Sequence, residues 1–290
     1  MKIRKAVIPA AGLGTRVLPA SKAIPKEMLP IVDKPVIQYI VEEAVAAGIE
    51  EILIITSRGK GAIEDHFDRS PELEERLLAG GKQAIYDEVT AIPGLANLTF
   101  IRQKETKGLG HAVLCAKNFV GDEPFAVLYG DDVIIGKHSA TAELCAAYEK
   151  YGKGVVGIKE VPHDMISKYS SLKAEPIGPR EFSVTDMIEK PQTEAEVLSY
   201  YSILGRCVLP PEIFSILENT APGAGGEIQL TDAMLVLARS VGMVGVDYTG
   251  TRYDMGNKLG ILQAAVEVGL DHAEVGPAFR EYLKELAKTL

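Results

Sequence analysis

Short runs rich in Val and Ile alternate with stretches of helical apolar spacing, and this alternation limits the possible folds more than any other feature of the sequence. Ala6–Pro9 opens the series as a short buried strand. Pro35–Ala47 carries apolar residues at helical spacing and stops at Gly48, a natural C-cap. The same reading predicts strands at Glu51–Thr56, Thr99–Gln103, Phe125–Tyr129 and Val155–Val161. It predicts helices at Gly61–Phe67, Glu72–Leu78, Gly110–Asn118 and Ala140–Tyr151. Such a βαβα rhythm implies an α/β, Rossmann-like fold: a mostly parallel mixed sheet flanked by helices. From about residue 162 the pattern changes. Pro162, Pro176, Pro179 and Pro191 punctuate short strands around Ser183–Glu189 and Tyr201–Leu209, which predicts a smaller β-rich part on the same sheet. Helices at Ile228–Val241 and Asn257–Val268 enclose a strand at Val244–Asp247, and a last helix at Phe279–Lys288 is placed to pack on another subunit. One domain over residues 1–290 results, with parts at roughly 1–161 and 162–290.

Composition narrows the partners. A chain of 290 residues that is 47% apolar supports a sizeable core. Net charge −9 argues against nucleic-acid and membrane-surface binding, although a few local donors still suffice to hold an anion. Cys115, Cys145 and Cys207 lie far apart without a CxxC pair, which fits buried thiols in a reducing, cytoplasmic compartment. The N-terminus reads as a first strand, not as a signal peptide, and no stretch approaches the ~18–20 apolar residues of a membrane span.

Directly after the first strand comes Ala10-Ala11-Gly12-Leu13-Gly14-Thr15-Arg16. Ligands bind at the carboxyl ends of parallel strands, and small residues let backbone N–H groups approach a phosphate. The dinucleotide fingerprint needs a third glycine where Val17 stands, and the GxxxxGK[ST] loop is absent. On the glycines alone, a nucleotide loop and a tight strand-to-helix turn both remain open. Arg16, Lys22 and Lys26 follow within eleven residues, between Pro19, Pro25 and Pro30. The prolines prevent a regular helix, so the cations sit on a stiffened loop suited to spreading charge over a triphosphate.

These residues, continued by Lys22–Pro35 (KAIPKEMLPIVDKP), closely resemble the signature of the bacterial UTP–glucose-1-phosphate uridylyltransferases, or UDP-glucose pyrophosphorylases. The similarity runs on through Arg102–Glu105, Gly108–Val113, Gly130-Asp131-Asp132, Glu189-Lys190-Pro191, Gly226–Ala233 and Tyr253–Lys258, across almost the whole chain. The resemblance implies an enzyme that joins UTP to glucose 1-phosphate with Mg2+, giving UDP-glucose and pyrophosphate. It implies dimers or tetramers as well.

It also implies roles. Backbone of Ala10, Ala11 and Gly12, within a nucleotide loop that includes Gly14 and Thr15, would hold uracil and ribose. Gln103 would read the uracil edge by its side-chain amide, helped by the backbone of Gly108. Arg16 would grip the β- and γ-phosphates, and Lys26 would sit at the α-phosphate. Asp131 and Asp254 would bind Mg2+, with Asp131 counted among the catalytic groups beside Arg16 and Lys26. Glu189 would accept from glucose hydroxyls and Lys190 would hold the sugar phosphate, beside Ser170.

The residue types suit these roles. Asp131 follows an apolar strand and so reaches the sheet's carboxyl edge, although Gly-Asp-Asp is also an ordinary turn; Asp132 is left to a sugar contact or a cap. Mg2+ prefers one or two carboxylates plus substrate oxygens. On an extended segment Glu189 and Lys190 would point to opposite faces. The five histidines show no metal-ligand spacing, and His111 is expected to pack in the core or at a helix N-terminus. Three departures touch specificity. Ser170 stands where the family usually has Gly, and its Cβ disfavours a positive φ. Thr106-Lys107 replaces a more usual Pro-Leu pair beside the base-reading segment, and Gly130 stands where relatives often have Pro. A sister enzyme for another base or sugar, a nicotinamide-dependent oxidoreductase and a non-catalytic sugar-nucleotide sensor are the competing readings. Val17 speaks against the second of these. Arg16, Lys26, Asp131, Lys190 and Asp254 together speak against the third.

Overall fold

Strands that are apolar at successive positions need cover on both faces, and the chain supplies helices in alternation to provide it. In the computed structural model, which describes residues 2–289, the strands longer than two residues are β1 (Lys5–Pro9), β2 (Glu51–Thr56), β3 (Asn97–Arg102), β4 (Phe125–Leu128), β5 (Asp132–Ile135), β6 (Val155–Glu160), β7 (Ser170–Gly178), β8 (Glu181–Glu189), β9 (Tyr201–Leu209), β10 (Met243–Asp247) and β11 (Thr251–Asp254). The helices of the first part are α1 (Val36–Ala46), α2 (Gly61–Phe67), α3 (Pro71–Ala79), α4 (Gln83–Ala91), α5 (Leu109–Leu114), α6 (Lys117–Val120) and α7 (Ala140–Tyr151). The second part adds α8 (Ile213–Glu218), α9 (Leu230–Val241), α10 (Lys258–Asp271) and α11 (Gly276–Ala287).

Among the described residues nine strands form one sheet in the order β3-β2-β1-β4-β9-β6-β10-β8-β7, and β5 pairs with β11 apart from it. β1 runs parallel to both β2 and β4, and β2 parallel to β3. The sheet turns mixed where β9 enters antiparallel between β4 and β6. β10 lies parallel to β6, and the β7–β8 hairpin completes the far edge. The mixed α/β sheet expected from the sequence is therefore present.

Period-two alternation divides each central strand between two cores. Ala6, Ile8, Ile52, Ile54, Ala126 and Leu128 join α1 and α7 on one face. Val7, Leu53, Ile55, Phe125 and Val127 join α5, α8 and α9 on the other. A buried ion pair ties the first face together. Arg206 on β9 is 1% exposed and donates from Nε to both carboxylate oxygens of Glu43 on α1, at 3.1 Å each. Glu43 Oε1 also accepts from the backbone N and the hydroxyl of Thr141 on α7, at 3.0 and 2.7 Å.

Several elements depart from the sequence reading for physical reasons. The helix expected over Gly110–Asn118 breaks between α5 and α6. Strand β7 escapes the apolar pattern because it is an edge strand carrying exposed Lys173, Glu175 and Pro176. Helix α4 buries no residue, so it lacks the core-facing stripe that periodicity detects. Strands β5 and β11 are four residues each and lie off the main sheet.

Replacing Arg206 by Met strands the Glu43 carboxylate in the core, and loss of one partner of a buried pair typically costs ~3–5 kcal/mol. Urea unfolding of Arg206→Met is expected to show a loss of that size, and the Arg206→Met, Glu43→Leu double variant is expected to recover part of it.

Candidate active site

The chain leaves β1 to one side, toward β2 and β3, and returns on the other side as β4. A crevice opens at the carboxyl ends of strands where the order reverses in this way. Here it is a cleft of about 910 Å3 walled by the loops after β1 and β4. Gly130 permits the closure: its N–H donates to the Pro9 carbonyl at 3.3 Å, and a Cβ there would lie 2.6 Å from that oxygen.

Ala11, Gly12, Thr15, Arg16, Lys26, Gln103, Gly108, Asp131, Ser170, Glu189, Lys190 and Asp254, twelve of the residues singled out from the sequence, line this one cleft. Ala10 and Gly14 support it from behind. Ala10 is 1% exposed, and its N–H donates to the Ile55 carbonyl at 2.8 Å. The Gly14 carbonyl accepts from Ser21 Oγ at 2.7 Å. Lys22 is exposed and stands outside the wall, so the cations brought to the cleft by this loop are Arg16 and Lys26. Short 3-10 turns at Thr15–Val17, Ala20–Lys22 and Lys26–Met28 carry the segment, as the prolines require.

Two carboxylates converge on one guanidinium. Arg16 Nη2 lies 3.2 Å from Asp131 Oδ2, and Arg16 Nη1 lies 3.4 Å from Asp254 Oδ2. Lys26 Nζ also donates to Asp131 Oδ2. The Gly256 N–H donates to Asp254 Oδ1 at 2.8 Å, which orients that carboxylate with Oδ2 toward Arg16. Backbone pairing sets the spacing: β5 and β11 run antiparallel with Asp132 opposite Asp254, and Met255 N donates to the Asp131 carbonyl at 2.8 Å. Burial works against the charged form of Asp131, but Lys26 and Arg16 outweigh it and hold the carboxyl below its ordinary range. Asp132 turns inward instead, 2.5 Å from Arg252 Nη2. Burial raises it to about 6, against the pull of Arg252 and with help from Asp131 and Asp254.

A second buried pair supports the floor. Lys60, 7% exposed, donates to the Ala10 carbonyl and to both oxygens of Glu27, at 2.9 and 2.7 Å. Glu27 is fully buried and directly follows Lys26. Burial pushes the Glu27 carboxyl up and the Lys60 ammonium down, with their mutual attraction opposing both shifts.

At the far wall Glu189 Oε2 accepts from Thr231 Oγ1 at 2.9 Å, which gives the Gly226–Ala233 segment a role. The expectation that Glu189 and Lys190 point apart fails. The strand ends at Glu189, Lys190 takes φ +49°, and its Nζ comes 3.5 Å from Glu189 Oε1. The strain expected at Ser170 is also absent. Ser170 is not among the residues with positive φ, and its Oγ accepts from Ile203 N at 3.0 Å and meets Ser202 Oγ at 3.2 Å. At the opposite wall Gln103 Nε2 lies 3.1 Å from the Gly108 carbonyl and 2.9 Å from His111 Nδ1. Gly108 has φ +94°, and a Cβ there would lie 2.8 Å from the Ile228 carbonyl, a conformation and an approach that favour glycine.

Sequence reasoning missed Lys60, Arg252 and Thr231. Lys60 sits 33 residues from its partner Glu27, so no local spacing pairs them. Glu27 lies inside the recognised motif, but beside Lys26 it reads as an ordinary charged position, so its burial carries no local signal.

The family model described as Nucleotidyl transferase matches residues 5–269. The UTP–glucose-1-phosphate uridylyltransferase YngB of Bacillus subtilis is 52% identical over 287 residues, 99% of this chain and 96% of that protein. The structure of UTP-bound UGPase from Acinetobacter baumannii superposes with a TM-score of 0.91 at 39% identity, covering 98% of this chain and 99% of that one. A UDP-glucose pyrophosphorylase complexed with UDP-glucose gives 0.84 at 40% identity, covering 93% and 100%.

The raised Asp132 carboxyl predicts a pH dependence. Between its ordinary value of 3.8 and its folded value of about 6, the folded protein holds a proton that the unfolded chain has released. Stability from this group is therefore full below the lower value and is lost as pH rises through the upper one. Without added divalent metal, the melting temperature of Asp132→Asn minus that of the wild type is expected to be more positive at pH 7.5 than at pH 4.

Proposed function

The chain belongs to the nucleotidyl transferase family, and from that premise we propose that it transfers the uridylyl group of UTP to glucose 1-phosphate, giving UDP-glucose and pyrophosphate. The observation that carries the reading is the meeting of Arg16, Lys26, Asp131 and Asp254 in one cleft, with small-residue backbone on one side and Glu189 and Lys190 on another.

A phosphate oxygen of glucose 1-phosphate attacks the α-phosphorus of UTP, the bond from that phosphorus to the bridging oxygen breaks, and pyrophosphate leaves. No side chain becomes a covalent intermediate, so catalysis is alignment plus stabilisation of charge. Backbone of Ala10, Ala11 and Gly12, in the loop with Gly14 and Thr15, holds the nucleoside. Gln103 and Gly108 contact the base. Lys26 faces the α-phosphate, and Arg16 faces the phosphates that leave. Glu189 accepts from sugar hydroxyls while Lys190 holds the sugar phosphate, beside Ser170. The nucleotide thus lies on residues 1–161 and the sugar on residues 162–290.

Asp131 and Asp254 would hold Mg2+. Their Oδ2 atoms both point at one cationic group, and hard oxygen donors in that number suit a metal that draws its other ligands from phosphate and water. Among the described residues no group of three or more His, Cys, Asp or Glu is set to hold a metal. When bound, the ion neutralises phosphate charge.

No helix among the described residues is long and apolar enough to cross a membrane. The three free cysteines agree with a cytoplasmic setting. Exposed Leu259, Leu262 and Val266 on α10, with Tyr282 and Leu286 on α11, support assembly into a homo-oligomer.

The reading is tested by pyrophosphate release from UTP, dTTP, CTP, ATP and GTP at fixed glucose 1-phosphate and Mg2+. UTP is expected to lead; preference for dTTP would move the chain to a sister activity, and silence with all five would contradict the reading. Asp131→Asn is expected to keep the fold by circular dichroism and to lower turnover by roughly 100-fold or more, the scale of losing a transition-state charge contact.

A further inference from the structure

We propose that His111 is a positioning residue for base selection: together with the Gly108 carbonyl it takes both amide protons of Gln103, so that only Gln103 Oε1 is left to face the base. The proposal deepens the reading of the cleft as a uridine-nucleotide site and rests on it.

Gln103 is a fixed platform. It follows β3, is 5% exposed, and its backbone N–H donates to the Thr56 carbonyl at 2.9 Å. A carbonyl oxygen can only accept, so the 3.1 Å contact with Gly108 decides which end of the amide faces that side. The Gly108 carbonyl is itself held in place. Ile228 N donates to the Lys107 carbonyl and Gly110 N donates to the Ile228 carbonyl, both at 2.8 Å. The second Nε2 proton points at His111 Nδ1, 2.9 Å away. That contact is a hydrogen bond only if Nδ1 carries its lone pair, which puts the ring proton on Nε2. Gln103 and Gly108 line the cleft, whereas His111, half-buried on the first turn of α5, is not among its lining residues.

An amide committed in this way offers the base an acceptor and no donor. Uracil and thymine carry N3–H, which can donate to it. Cytosine has a bare lone pair at N3, and two acceptors facing each other repel. His111 therefore acts through Gln103 to favour pyrimidines with N3–H over cytosine. Without it one amide proton loses its partner, and turning the amide over to present Nε2 to cytosine N3 sacrifices one hydrogen bond fewer.

The test compares kcat/KM for UTP, dTTP and CTP, with glucose 1-phosphate and Mg2+, in the wild type, His111→Leu and His111→Asn. Loss of one hydrogen bond is worth up to about tenfold, so His111→Leu is expected to narrow the UTP:CTP preference by about that factor while leaving UTP:dTTP within about twofold. His111→Asn, whose Oδ1 takes the place of Nδ1, is expected to keep UTP:CTP within about threefold of the wild type. An equal fall for all three nucleotides in His111→Leu, or an unchanged UTP:CTP ratio, would overturn the proposal. A wild type that turns over no nucleotide would instead defeat the uridylyl-transfer reading, and the same ratios would then be taken from UTP and CTP binding by calorimetry. Nitrogen NMR of isotope-labelled histidine in the wild type needs no variant to fold. The Nε2–H tautomer at His111 is expected, and an Nδ1–H tautomer would overturn the proposal.

Discussion

The site depends on one buried ammonium. Lys60 enters from the loop after β2 and binds the Ala10 carbonyl at the end of β1 and the Glu27 carboxylate in the turn that follows. Withdrawing both charges from water is costly, and an apolar pair of similar volume would often serve stability as well. What the ion pair supplies is geometry. Lys26 and Glu27 are consecutive in a 3-10 turn, so anchoring Glu27 below the floor sets Lys26 above it, against Asp131. The same ammonium fixes the peptide plane of Ala10, from which the glycine loop departs. One buried contact thus relates the glycine loop to the cation beside it.

The electrostatics above that floor follow from enclosure and pairing. The chain carries net charge −9, and within its cleft Arg16, Lys26, Lys190 and Arg252 pair with Asp131, Asp254, Glu189 and Asp132. Asp131 and Asp132 are neighbours with opposite fates. Asp131 faces Lys26 and Arg16, which outweigh its burial and keep it ionised; Asp132 lies deeper and is raised to about 6 despite Arg252. An ionised Asp131 is what an oxygen ligand for a divalent metal requires. Asp132 and Arg252 sit behind it and brace the β5–β11 pair that presents Asp254.

Much of this was legible in the sequence where local rules apply. Strands β1, β2, β3, β4 and β6 of the first part are readable from short apolar runs, whereas β5 is not, and twelve of the residues singled out do line one cleft. Legibility failed where the cause is tertiary. β7 is an exposed edge strand, α4 buries nothing, and the Lys60–Glu27 pair joins positions far apart in the chain. Glu189 and Lys190 were read with the rule for an extended strand, but the strand ends between them and Lys190 turns left-handed. From the sequence His111 is expected to pack in the core or at a helix N-terminus. It does lie in the first turn of α5, and its ring reaches Gln103.

On the proposed reading, Asp131 and Asp254 together would hold the metal that accompanies the nucleotide. The most direct measurement is anomalous scattering from crystals grown with UTP and Mn2+. The expected result is a metal peak coordinated by oxygens of both Asp131 and Asp254 and by phosphate oxygens of the nucleotide. A peak that contacts neither carboxylate, with UTP bound in the same cleft, would contradict it.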